Sequence, residues 1–198
     1  MNKIRVNHKG KRNIYVHNDL SSAAHHFIVQ IEDKLKRGDI KGINFEYMAC
    51  MVMLAFTFEA KINFLGYKCI TDWKERQSFC KKVKKVFDYL NINPNWNARP
   101  YSAISKLKEF RDLIAHGKPA ESEFEEEIVA LPEEIQRRNI LEGEWQRYCE
   151  HENVLNIYED IDIIWKELLS YSGIQLFETI THGNSSLTLV EKVADKQI

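Results

Sequence analysis

The sequence predicts an all-α protein, a bundle of four to five main helices with minor β additions at the two ends. Three observations carry this. Apolar residues recur at three- and four-residue intervals through separate stretches, the period of helices that bury one face. Helix stops fall where those stretches end, at Gly38, Gly117 and Gly173. A chain of 198 residues, 44% apolar and 29% charged, has the length and composition of one domain with a substantial core.

Residues 1–18 read as an arm. Ile4, Val6, Ile14 and Val16 alternate with polar residues around Lys9-Gly10, which predicts a short hairpin. Its five basic residues and two histidines suit contact with nucleic acid, although a plain edge hairpin is the simpler reading. Core helices then occupy 19–118. Helix one is expected from Asp19 or Ser21, both good N-caps, to Gly38. Helix two, Asn44 to Leu65, is apolar nearly all round and is predicted to be the most buried element. Its apolar run from Tyr47 to Phe58, flanked by Glu46 and Glu59, is well short of the roughly 20 residues that span a bilayer. It reads as a core helix, and no membrane association is expected. Helix three is expected from Asp72, as cap, to Leu90, with Phe79, Val83, Val86, Phe87 and Leu90 on one stripe. Asn91 to Asn97 is a loop. Helix four starts near Pro100 and buries Ile104, Leu107, Phe110, Leu113 and Ile114; Gly117 closes it and Pro119 prevents continuation.

Residues 119–152 form an acidic insertion with a short helix over Pro132 to Arg138. Residues 153–198 supply a closing helix, Asn153 to Ser172, with Val154, Ile157, Ile161, Ile164, Trp165 and Leu168 at helical spacing. In the tail, Leu187 to Val190 predicts a strand placed to pair with the N-terminal hairpin.

The net charge of −1 conceals an asymmetry. Residues 61–118 hold 13 Lys and Arg against 5 Asp and Glu, a local +8; residues 119–178 hold 4 against 16, a local −12. Such a division accompanies basic binding surfaces, and it equally describes solvated lysine faces. Lys81, Lys82, Lys84 and Lys85 are the densest cluster. Cys50, Cys69, Cys80 and Cys149 are far apart, so reduced, mostly buried thiols in a cytoplasmic protein are expected. Neither they nor the seven histidines have ligand spacing, and no metal or other cofactor is predicted.

The chemistry concentrates in Phe110-Arg111-Asp112-Leu113-Ile114-Ala115-His116-Gly117-Lys118. An arginine suits a phosphate through its forked, permanently charged donors, and an imidazole takes or gives a proton near neutral pH. On spacing alone the pair is also a simple helix ending, because cations complement the dipole there. Five residues turn a regular helix by about 140° net. Arg111 and His116 converge on one ligand only if the helix end is irregular or a second copy contributes.

Phe110 to Gly117 resembles the Arg-x4–6-His signature of the HEPN superfamily, small helical domains that include many metal-independent ribonucleases. Asp112 stands where the family often has Asn. The stretch Phe56-Thr57-Phe58-Glu59-Ala60-Lys61-Ile62-Asn63 resembles the aromatic-rich second helix, with its acidic residue and following Asn. The likeness spans roughly 20–118 and the helix at 153–172. Lys118 occupies the position where some members carry a tyrosine as a modification site, so that regulation is not implied. The resemblance implies a HEPN-type bundle and an endoribonuclease that uses the substrate's 2′-hydroxyl and leaves a 2′,3′-cyclic phosphate. Arg111 and His116 would be catalytic, Asp112 and Glu59 supporting; the glutamate in so apolar a helix needs a partner, for which Arg111 is the candidate. Lys106, Lys108 and Lys118 would bind RNA phosphate. Partners implied are RNA, a second copy forming a composite site, and an antitoxin or regulatory protein in a toxin–antitoxin or defence setting. The alternative is a non-catalytic HEPN-like module that binds nucleotide or RNA, or regulates a partner.

Overall fold

The computed structural model describes residues 3–117, 119, 121, 123, 125–137 and 143–193. Five helices dominate: α1 (Val16–Lys36), α2 (Ile43–Cys69), α3 (Phe79–Tyr89), α4 (Ser102–His116) and, after the six-residue α5 (Pro132–Arg137), the long α6 (His151–Ser172). Two strands, β1 (Lys3–Asn13) and β2 (His182–Val193), form an antiparallel pair at the chain ends. The architecture is therefore a helical bundle with a small two-stranded sheet, as the periodicity and stop signals predict.

The core forms around α2, whose hydrophobicity leaves it no polar face. Met51, Phe58, Ile62 and Leu65 are buried there against Ile28 and Ile31 of α1, Val86 and Phe87 of α3, Leu107 and Phe110 of α4, and Ile161 and Ile164 of α6. Helix two is 27 residues, longer than its apolar run suggests. It is long and apolar enough to cross a membrane, with a mean hydropathy of 1.5 over its best window. More than half of that window, 56%, is buried inside the bundle, which is what makes it the core helix.

Four local expectations are corrected. The N-terminal arm is not a hairpin: β1 runs straight through Lys9-Gly10 and takes its whole ladder from β2, from Lys3 opposite Val193 to Asn13 opposite His182. Gly10 serves the strand instead of a turn, because a Cβ there would collide with the Asn184 carbonyl oxygen. The C-terminal strand does pair with this arm, and at twelve residues it is much longer than Leu187 to Val190. Helix three begins at Phe79, not Asp72. Residues 70–78 fold back across α2 so that Trp73 stacks on Gly66, where a side chain of any size would enter the indole ring. Asp72, freed from capping, binds Lys85 at 2.8 Å. The cysteines are all free, but only Cys50 and Cys149 are buried; Cys69 is half-buried and Cys80 exposed.

The acidic and basic halves meet in named pairs. Arg99 donates to Asp160 at 2.9 Å and reaches Glu159 at 3.3 Å on α6. Within the insertion, a 3-10 turn (Glu144–Tyr148) returns the chain to α4: Tyr148 lays its ring 6.0 Å from Phe110 and donates to Glu109 at 2.7 Å.

Candidate functional site: an ion-pair chain across three helices

Glu59 is drawn to the junction of α2, α3 and α4 because the surrounding α2 side chains are apolar and an unpaired carboxylate there would be strongly unfavourable. It accepts from Arg111 Nη1 at 2.6 Å through Oε2, and from Lys82 Nζ through Oε1. Arg111 continues the chain by donating from Nη2 and Nε to Asp112 Oδ1 at 3.2 and 3.3 Å. Asp112 in turn accepts from Lys108 Nζ at 2.8 Å, one helical turn earlier. The result is a continuous line, Lys82–Glu59–Arg111–Asp112–Lys108, in which three cations outnumber two carboxylates. The Arg111 guanidinium also lies 5.5 Å from the centre of the Phe79 ring, which orients it further.

The electrostatics follow the contacts. The hydrogen bond from Lys108 holds the Asp112 carboxyl below the usual carboxylate range, and the same bond raises the Lys108 pKa. Asp112 is thus ionised and serves as an acceptor for two cations. A guanidinium has five N–H donors. Three are engaged by Glu59 and Asp112, which leaves two for a ligand.

His116 stands in the last turn of α4, exposed, with no hydrogen-bond partner among the described residues. Gly117 closes the helix in the left-handed conformation, φ 39°, with its N–H on the Leu113 carbonyl at 3.2 Å. The helix is regular to His116, so within one chain Arg111 and His116 remain about 140° apart around the axis. Asp112, four residues before His116, shares its side of the helix more closely than Arg111 does.

The predicted lysines do not all gather here. Lys108 joins the chain, whereas Lys106 lies two residues away, on the opposite side of α4, and donates to Asn153 of α6 at 2.9 Å. It makes a contact between α4 and α6 away from the ion-pair chain, because two residues rotate a helix by about 200°. Lys118 lies outside the described residues. The cluster at 81–85 is largely self-neutralised: Lys84 pairs with Asp88 at 2.9 Å, Lys85 with Asp72, and Lys82 with Glu59. Lys82, 2% exposed, is the residue the sequence reading missed as part of the site. Its signal was present, because it lies three after Phe79 and four before Val86, on the apolar stripe of α3, where a lysine must find a carboxylate. Among the described residues no three His, Cys, Asp or Glu side chains converge as metal ligands.

No family model, no curated protein and no solved structure matches this chain.

Proposed function

We propose that the chain is a metal-independent endoribonuclease of HEPN type. The observation that carries the reading is Arg111: it is fixed from two sides by carboxylates, keeps two N–H donors, and shares its helix end with an exposed imidazole that has no described partner. Such an arrangement suits a phosphodiester. Arg111 would hold a non-bridging oxygen and stabilise the charge that grows there in the transition state. His116 would take the proton from the 2′-hydroxyl, whose oxygen then forms the new bond to phosphorus while the bond to the 5′-oxygen breaks. The leaving oxygen needs a proton, and His116 of the partner subunit would supply it in a two-fold dimer. The products are a 2′,3′-cyclic phosphate and a 5′-hydroxyl. A toxin–antitoxin or defence setting, with RNA as substrate, follows the same resemblance.

A second reading has its own support. Two carboxylates on one arginine weaken its pull on a third anion, which favours a module that binds RNA or nucleotide without cutting it. Incubation of purified protein with RNA in EDTA separates the two. We expect cleavage with cyclic-phosphate ends by the parent, and a loss of at least about a hundredfold in both Arg111→Ala and His116→Ala. Uncut RNA with a well-folded parent would favour the binding module, and cutting that survives both substitutions would remove these residues from the chemistry.

A further inference from the structure

Beside the ion-pair chain, α3 and α4 leave a groove of about 430 Å³ between them, bordered by residues 92–96 of the connecting loop. Its wall is apolar, formed by Phe79, Val83, Phe87, Ile104 and Trp96. The first four are at most 7% exposed, already spent on the core, whereas Trp96 is 40% exposed. The indole is held by Phe87 and Tyr101, whose ring centres lie 5.3 and 6.2 Å away. One rigid, accessible aromatic therefore faces a groove whose other apolar walls are buried or, at Ile92 and Pro94, half-buried. The rim carries two cations, Lys84 and Lys108, and one carboxylate, Asp88, which pairs with Lys84. Lys84 and Lys108 border it, with 76% and 39% of their side chains exposed beyond their pairing with Asp88 and Asp112. Each ammonium has three donors, so each retains N–H groups for an anion.

Lys108 belongs to both groove and ion-pair chain, and Phe79 joins the two. Phe79 lines the groove and lies beneath the Arg111 guanidinium, and Lys108 lines it while holding Asp112. We propose that the groove is a nucleobase subsite: a nucleotide next to the phosphate at Arg111 inserts its base against Trp96, with Lys84 and Lys108 on its own phosphate. This assignment rests on the RNA reading of Arg111 for its substrate. An exposed aromatic with flanking cations is how single-stranded nucleic acid is held, and the volume falls within the range of small-ligand sites. A docked helix or second copy would need broad free apolar surface, whereas here it is confined to Trp96 and the half-buried Ile92 and Pro94.

Cys80, an exposed free thiol on the groove wall, provides a reporter that does not depend on catalysis. The experiment uses the full chain carrying His116→Ala. The four nucleoside monophosphates and ribose 5-phosphate are titrated in turn, with indole fluorescence and the rate of Cys80 alkylation as readouts. We expect nucleotides to quench fluorescence, to slow alkylation, and to bind roughly tenfold tighter than ribose 5-phosphate, the size of one stacking contact. Trp96→Ala should abolish that preference. So should Ser105→Trp, which fills the groove from an exposed α4 position. Equal binding of nucleotide and ribose 5-phosphate, or unchanged Cys80 alkylation, would overturn the subsite. Alkylation that slows with protein concentration alone would give the groove to a second copy and overturn it too. Cleavage by the parent without base-dependent protection would leave the ribonuclease reading standing and remove the subsite. Base-dependent protection without any cleavage would do the reverse.

Discussion

At His17 the chain places an imidazole where water does not reach. The ring is 3% exposed, among Phe64 at 4.9 Å, Trp165 at 5.5 Å and Tyr15 at 6.1 Å, and its Nε2 has no partner among the described residues. Burial and the nearby Lys61 charge lower its pKa to about 4, with the Thr179 backbone opposing. Above pH 6.5 the folded and unfolded chains both carry the neutral ring. As pH falls from 6.5 towards 4, the unfolded chain gains a proton that the folded chain refuses, so stability declines across that window. At pH 5 the decline is about 2 kcal/mol. Urea unfolding of the parent and of His17→Phe at pH 7 and pH 5 tests this. The parent should lose about 2 kcal/mol more than the variant, and parallel losses would refute it. A sequence places His17 in an arm and says nothing of the aromatic walls that come from α2 and α6. Glu59 was legible by contrast, since a carboxylate within an apolar run demands a cation, and it finds the expected Arg111 together with Lys82.

Between elements, one ion-pair line does what apolar contact does elsewhere: it fixes α3 and α4 upon α2. Its members are unequal. Glu59 serves Lys82 and Arg111 together, whereas Lys82 serves only Glu59 among the described residues. Glu59→Ala therefore strands a buried ammonium and should destabilise by about 3–5 kcal/mol. Lys82→Met leaves Glu59 paired with Arg111 and replaces a buried charge with an apolar chain of similar length; we expect a change within about 1.5 kcal/mol. Denaturant midpoints of the two variants decide it, and Glu59→Ala proving no worse than Lys82→Met would show that the line does not hold the helices. Helix periodicity made these elements legible, because each buries one stripe. It failed where the third dimension intervenes. Asp72 looks like a cap, but Trp73 stacking on Gly66 delays the helix to Phe79, and no local pattern announces a contact between residues seven apart on different segments. In β1, likewise, Gly10 reads as a turn until its strand partner, distant in sequence, is known.

For the whole molecule, charge and symmetry set the expectations. The basic stretch is less of a bare surface than its sequence count of +8 implies, because most of its cations already have carboxylate or amide partners. Lys74, Arg76 and Lys81 remain exposed, and Lys108 and Arg111 keep spare donors on the helix that ends at His116. Since α4 is regular to His116, a site that uses both residues on one phosphate needs the same patch from a second chain. If the proposed ribonuclease is such a dimer, cleavage per chain should fall on dilution in step with dissociation measured by sedimentation. A folded, monomeric variant should be inactive, and one that cuts at the parent rate would end the composite-site idea. Dimer symmetry leaves no mark in a single sequence, so this level of organisation was not legible beyond the awkward angle between two side chains.

The strand pair at the chain ends has a consequence for synthesis. β1 is translated before every helix of the bundle, yet every hydrogen bond of its ladder comes from residues 182–193. At ordinary elongation rates the ribosome needs on the order of ten seconds to produce the intervening polypeptide. Throughout that interval Lys3–Asn13 has no ladder partner, while the helices can already begin to assemble. The ribbon is therefore a late event in the life of each nascent chain, and its closure is a natural marker that synthesis has passed the final helix.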